Sequence, residues 1–534
     1  MSRPGVEVSS ASSAPPRGVP TDTSPAFICA EAQMGPVGAP TRLTSLDQFT
    51  ATYGQRVAGT YGYDSLDAAL HEGTSTAYFM RLVDEALVAK VSAAPIVAAP
   101  AEVEAANPGA WGNGLVLTVA LKPVALAAQT EPKASKASAK PKDGASADES
   151  PEPEGEPETR KLGALTFAPE PRASEAMEAT VTLNGTVVQS SLALANVEAL
   201  ANFLASGPYL RLVKAASLTA AVVAGTVAPK GGTDGTVPVD EIGTVETGLN
   251  ALTPDLGPGQ LLLPGRADAE SQAAALAHCA GTSDAGVNRV ALLDGAIGDD
   301  ATTLETRAKA LRGALQDRYG SLWGPWANIP GLAPGTSRTV PWSAIQAGIC
   351  ARNDAAGNPN QAGAGSWGVS RYANSLTVAF TDAQRESLLL AGVNTARSVY
   401  GNIESYAFRT LVDPVGPRAA WRELNHARLN MAIVARAEAV GELLVFSQID
   451  GRGLALAKFN GLLAAMLKEF YDDGAIYGDE PTDAFTVNTG PAVNSPASLA
   501  EGNLRAVLSV RMSPHAELVE IEIVKVPITV ALAA

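Results

Sequence analysis

The sequence predicts a mixed α/β protein of several domains, with a β-rich region set inside it and short strand arms at both ends. Three observations carry this. Helical and strand patterns alternate from 244 to 316, the arrangement that gives an α/β layer with a partly parallel sheet. Alternating apolar residues and a hairpin signal fall within 85–230. Val6 and Val8 flank Glu7 near one end, and Val519, Ile521 and Ile523 alternate with Glu520 and Glu522 near the other; the second pattern predicts a half-buried strand. A length of 534 residues allows roughly three or four domains at ~150 residues each.

Taken in order, residues 1–25 read as an arm and linker, because Ser9 to Pro20 is rich in Ser, Ala and Pro and has no apolar period. The first part of the core runs over 26–84. Phe27, Ile28 and Cys29 predict a buried strand, Ser45 with Gln48 a helix-capping pair, Leu66 to Leu70 a helix, and AYFMRLV (77–83) a second buried strand. In the β-rich domain, 85–230, strands are expected at 114–121 and on either side of Asn184-Gly185, a hairpin turn. A helix at 196–204 and a strand at 209–215 complete it. Residues 129–160 interrupt this domain with Lys, Ser, Pro and Glu and no large apolar residue, so a disordered surface loop is expected there. The α/β core layer spans 231–330, a C-terminal domain 331–515, and a strand arm 516–534. Two amphipathic helices stand out, about Arg418 to Val440 and Leu454 to Tyr471, with Leu424, Ala427, Met431 and Val434 on one stripe and Phe459, Leu463, Met466, Leu467 and Phe470 on the other.

Composition narrows the function. With 55 acids against 39 bases, the net charge of −16 argues against a nucleic-acid partner. Charged residues make up 18%, below the ~25% of an average domain, and apolar residues 46%, ample for several cores. The cysteines, Cys29, Cys279 and Cys350, are odd in number and far apart, so free buried thiols are expected rather than disulfides or a metal site. The first residues lack the charged head and apolar core of a signal peptide, and no segment offers ~20 apolar residues to span a bilayer. A soluble protein made in a cytoplasm, without membrane insertion, is the expectation.

No motif supports catalysis or a cofactor. His71-Glu72 opens like a zinc-protease motif, but position 75 is Ser where the second His belongs. GAGSWG (363–368) matches a dinucleotide fingerprint by letter only, since it follows a Gly/Asn/Pro loop and not a strand. Ser366 has Ala two residues before it, so it is no nucleophile elbow. Asp472, Asp473, Asp479, Glu480 and Asp483 form the densest carboxylate cluster; a soluble α/β enzyme with a divalent-ion site there is the alternative of a different class, although the spacing lacks a calcium-loop pattern.

Several segments in order resemble the contractile tail sheath family. RPGVEV (3–8) resembles its opening strand, GPVGAPTRLTSLDQFTATYG (35–54) and STAYFMRLV (75–83) its first core segments, with Thr44, Ser45, Phe49, Tyr53, Gly54, Tyr78 and Arg81 in the corresponding places. NPGAWGN (107–113) and GGTDG (231–235) look like turns of the family. In the last third, VPWSAIQAGICARND (340–354) supplies Pro341, Ser343, Ala347 and Gly348, with Ala344 where the family usually has Gly. LLLAGVNTARSV (388–399), WRELNHARLN (421–430) and DGAIYGDEPTDAFTV (473–487) continue the resemblance.

The resemblance implies a structural subunit without catalytic residues, metal or cofactor. It implies partners: further copies in stacked six-membered rings, a tail tube protein, and baseplate and tail terminator proteins. The place implied is a virion's contractile tail, assembled in a host cytoplasm, with the sheath of a bacterial contractile injection system as the alternative. Val6, Glu7, Val8, Val519, Ile521 and Ile523 would form strands shared between subunits, and Lys458 and Lys468 on the second long helix would face the tube. Because the composition of 129–160 builds no interface and long surface loops cost little closure entropy, replacing that loop by a short Gly/Ser linker should leave tube formation intact. Electron microscopy of a folded variant that forms no tubes would overturn this.

Overall fold

A computed structural model describes residues 20–83, 88–91, 94–97, 101–123, 175–234, 242–281, 288–312, 315–517, 519–521 and 523. The chain separates into two compact units: the larger draws on Met1–Leu87, Asn107–Trp111 and Thr233–Ala534, the smaller on Val88–Ala106 and Gly112–Gly232. The 129–160 loop and the Val6–Val8 arm lie outside the described residues.

The larger unit is built on an eight-stranded sheet. Its order is Asn402–Ser405, Val393–Val399, Gly320–Gly324, Val290–Asp294, Gln260–Leu262, Ala26–Ala30, Ala77–Arg81 and Thr41–Leu43. The six inner strands pair in parallel, and only the two outermost are antiparallel. Every residue of AFICA, QLL, VALLD and GSLWG is buried, which follows from a parallel sheet covered on both faces and explains runs apolar without alternation. On one face, Ile28, Leu262, Leu292 and Trp323 pack with Leu66, Ile345 and Ile349 from the helices Gly62–Glu72 and Trp342–Ala356. On the other, Phe27, Leu261, Leu293 and Leu322 pack with Val245, Leu276, Leu304 and Leu388. Segments 26–84, 231–330 and 393–405 thus contribute strands to one sheet. Cys29, Cys279 and Cys350 are free and buried; burial raises the Cys29 thiol to about 12.

Local signals explain the boundaries. Ser45 Oγ accepts the Gln48 N–H at 3.3 Å, while Gln48 Oε1 accepts from Thr44 N–H at 2.8 Å, one residue earlier than in a reciprocal capping box. The first long helix starts at Leu424 and not near Arg418, because Glu423 is held extended and bridges Arg409; a 3-10 turn, Ala419–Trp421, precedes it. The second runs Leu454–Asp472, and its stripe of Leu463, Met466, Leu467 and Phe470 is buried.

In the smaller unit, Gly225–Val227, Leu115–Pro123, Glu175–Leu183 and Thr186–Ser190 form a four-stranded antiparallel sheet. Asn184 (φ 49°) and Gly185 (φ 84°) make the tight turn, both left-handed as a two-residue hairpin of this kind requires. A second sheet joins Lys90–Val91, Ala101–Ala105 and Leu210–Ala215, beside the helix Val197–Ala205 capped by Asn196.

Buried carboxylates tie distant parts of the larger unit together. On helix Gly62–Glu72, Asp64, Asp67 and Glu72 are all buried. Arg338, on strand Ser337–Val340, donates to Asp64 at 2.8 Å and to Asp67, and Arg56 donates twice to Asp64, at 2.9 and 2.8 Å. Glu72 accepts from Arg352 at 3.0 Å, from the backbone N–H of Arg371 at 2.9 Å and of Tyr372 at 3.0 Å, and from Ser370. Gly348 lets the helices Gly62–Glu72 and Trp342–Ala356 meet: a Cβ there would collide with Glu72 and lie 2.6 Å from the Ala69 carbonyl. Removing one partner of a buried pair strands the other charge at a cost of about 3–5 kcal/mol. Arg338→Met should therefore lower the chemical-denaturation midpoint of the larger unit by a corresponding amount; an unchanged midpoint would refute it.

Candidate assembly surfaces

The root of the N-terminal arm is fixed by the core. Thr23 Oγ1 donates to Asp354 at 2.8 Å, and Gln260 Nε2 donates to the Thr23 carbonyl at 2.7 Å. Asp354 in turn takes two bonds from fully buried Arg428, at 2.8 and 2.7 Å. Thr21 to Ser24 line a cleft of about 440 Å³ with Arg436 and Phe470 of the two long helices.

The root of the C-terminal segment is fixed at the start of the first long helix. Ala362 N–H donates to His515 Nε2 at 3.4 Å, and Asn425 Nδ2 lies 3.2 Å from His515 Nδ1. His426 Nε2 lies 3.3 Å from the Ser513 carbonyl, and Arg409 binds Glu517 at 2.5 Å as well as Glu423. Burial and then neighbouring His426 lower the His515 pKa, against the raising effect of Glu423. Beyond Glu517 the anchoring stops. Val519, Ile521 and Ile523 are 73%, 81% and 91% exposed and belong to no strand, unlike the half-buried strand that their alternation predicts. Among the described residues they pair with no strand of this chain.

A small ribbon packs on the second long helix. Phe485–Asn488 and Val507–Val510 form an isolated two-stranded antiparallel ribbon. Phe485, Val487, Leu508 and Val510 turn inward and pack on Leu463, Leu467 and Phe470, while Thr486, Asn488, Val507 and Ser509 are exposed. Ribbons of two strands are marginal alone, and here the inner face is only half buried. One edge is partly closed, since Asn460 Nδ2 donates to the Val487 carbonyl at 2.9 Å. On the other edge, the bond from Arg511 N–H to the Ala484 carbonyl sets the ladder phase. That phase turns the N–H and C=O groups of Leu508 and Val510 outward.

Lys458 and Lys468 both lie exposed on helix Leu454–Asp472, but about 80° apart around it at 3.6 residues per turn. Lys468 is paired with both Asp472 oxygens at 2.7 Å, so its charge is compensated within the chain. The helix hairpin also presents Leu443, Val445, Phe446 and Leu454, all more than half exposed, with Phe446 at φ 61°. Sequence periodicity missed Leu443, Val445 and Phe446 because they follow the end of the first long helix, where no period applies.

The carboxylates Asp472, Asp473, Asp479, Glu480 and Asp483 are exposed, and no group of three or more His, Cys, Asp or Glu among the described residues is placed to hold a metal ion. GAGSWG ends in a 3-10 turn, Gly365–Gly368. His71 stacks on Tyr372 with ring centroids 4.0 Å apart. No described helix is long and apolar enough to cross a membrane.

No protein-family model and no curated protein sequence matches the chain. Solved structures do. A sheath tail protein of Listeria innocua is similar at 13% identity and a TM-score of 0.59, covering 93% of this chain and 96% of its own. A sheath tail protein of Desulfitobacterium hafniense gives 14%, 0.52, 91% and 93%. The helical sheath of the anti-feeding prophage in its contracted state gives 14%, 0.52, 98% and 99%. The chain therefore has the fold of contractile sheath tail proteins, over nearly its whole length.

Nε2 of His515 accepts the Ala362 N–H, so a second proton added to the ring there breaks that contact. With its folded pKa below the ordinary ~6.5, the unfolded chain binds the proton first, and the contribution present above ~6.5 is lost as pH falls. His515→Gln should reduce the acid-induced drop in denaturation midpoint between pH 7.5 and pH 5. An equal drop in both proteins would refute this role.

Proposed function

We propose that the chain is the repeating subunit of a contractile sheath, which polymerises around an inner tube and shortens to drive that tube through a target envelope. The observation that best supports this is the sheath fold spanning at least nine-tenths of the chain, including a ribbon with an open edge. Copies stack in six-membered rings, and the two arms of each copy add strands to ribbons of its neighbours. Strand addition gains main-chain hydrogen bonds whatever the side chains, which suits a joint kept through large rigid-body motion. The segment from Ser9 to Pro20 reaches at most ~40 Å when extended, enough to cross to an adjacent subunit.

In this reading the further partners are a tube protein, a baseplate and a tail terminator, with Lys458 the freer of the two candidate tube-facing lysines. The place is the contractile tail of a virion put together in a host cytoplasm. The sheath of an extracellular injection system is the second reading, favoured by the coverage of the anti-feeding prophage sheath; capsid and terminase genes beside the gene would decide for a phage. No residue is assigned a catalytic role, and the exposed carboxylates at 472–483 are read as a solvated helix end and turn.

Deleting residues 1–20 should abolish polymerisation without unfolding the subunit. Their composition offers too few apolar side chains for a core, and ordering the arm costs ~1–2 kcal/mol per backbone residue, so it becomes fixed only in the lattice. Proline at Val6 or Val8 should act alike where it removes a ladder donor. Unchanged circular-dichroism melting with no tubes under the electron microscope is the expected result. Normal tubes that still contract would refute arm exchange, and a collapsed melt would assign the arm to the subunit's own fold.

A further inference from the structure

The loop between the two long helices and the turn before strand Val507–Val510 enclose an apolar groove of about 740 Å³. Leu444, Val445, Phe446, Ile449, Phe459 and Leu504 line it, Glu438 and Glu442 stand on its rim, and Arg505 is the lining's single cation. Neither glutamate has an ion pair among the described residues. An exposed apolar patch of this kind, rimmed by charge, marks an interaction site.

Residues 524–534, VKVPITVALAA, have matching chemistry: apolar throughout except for Thr529 and Lys525, with no acid. Pro527 supplies no ladder donor at its position. Direction supplies the link. Strand Val507–Val510 presents its open edge, and a segment added antiparallel to it runs from Val510 toward Val507. If Val519 to Ile523 form that added strand, the following residues emerge at the Val507 end, beside Leu504 and the groove. The same register puts Val519, Ile521 and Ile523 on one face, the face of Leu508 and Val510, and leaves Glu520 and Glu522 outward.

The arm-exchange reading makes a second copy the donor. The C-terminal segment is anchored at Asn425, at the start of the helix Leu424–Glu442, while the groove lies at its other end. Seventeen residues of helix separate Asn425 from Glu442, about 26 Å at 1.5 Å per residue.

We propose that residues 524–534 of one copy seat in the groove of a neighbouring copy, with Lys525 toward Glu438 or Glu442, locking the strand formed by Val519 to Ile523. This rests on the arm-exchange reading above and adds a side-chain lock to it.

The test mixes full-length Leu504→Cys and Val530→Cys subunits, assembles them and adds a short bismaleimide linker; the native cysteines are buried. A covalent dimer that needs both variants is expected. Tubes that form without that dimer overturn the proposal and leave arm exchange standing. A doubly substituted chain that links to itself before assembly also overturns it, by placing the segment on its own groove. Deleting 524–534 should raise the critical concentration for assembly by about tenfold or more, and an unchanged value counts against the lock. Normal tubes from a chain lacking 519–534 would instead sink strand addition itself. Should a cysteine variant fail to assemble, a fluorescent VKVPITVALAA peptide added to the 524–534 deletion protein decides. Saturable binding weakened tenfold by Phe446→Asp supports the groove, and binding indifferent to that change refutes it.

Discussion

The larger unit depends on charge buried where it must be paired. Asp64, Asp67 and Glu72 sit on one short helix, and the groups that satisfy them come from Arg56, Arg338, Arg352 and the turn at Ser370 to Tyr372. Apart from Arg56, eight residues from Asp64, these contacts close sequence separations of 271 to 300 residues. Hydrophobic burial supplies most of the driving force, but it is not directional. The carboxylates are, and each accepts only in one arrangement of helix, strand and turn. Gly348 extends the same constraint to the helix crossing, since the approach that buries Glu72 leaves no room for a side chain opposite.

Around that block the molecule is unfinished at its margins. A sheet buried on both faces needs nothing further, whereas the ribbon of Phe485–Asn488 and Val507–Val510 has a half-covered inner face and an open ladder. Val519, Ile521 and Ile523 are apolar and exposed. Each of these is a cost in an isolated chain that pairing with another copy would offset.

Much of the fold was legible in the sequence wherever a period exists. The runs AFICA and VALLD, the Asn184-Gly185 turn and the stripe from Leu463 to Phe470 all announce themselves within a dozen residues. Long-range charge pairing does not. Asp64 and Asp67, three apart, read as an ordinary helix surface until Arg338 arrives from 274 residues away. The helix start at Leu424 was displaced because a tertiary bridge between Arg409 and Glu423 overrides local propensity. The carboxylates at 472–483 are close in sequence yet splay outward, since a helix end and a turn point them apart. Lys458 and Lys468 share a helix, but Lys468 is paired with Asp472, a contact their spacing of ten does not show.

The strand addition proposed for the open ribbon edge has an evolutionary reading. A joint written in peptide N–H and C=O groups is blind to most substitutions, because every residue except proline carries the same donor and acceptor. Selection on such a joint acts on strand length, phase and the absence of proline, and leaves the letters free to drift. Fold and assembly mode can then persist across lineages whose sequences have diverged too far for alignment to detect, while a single misplaced proline would be purged at once.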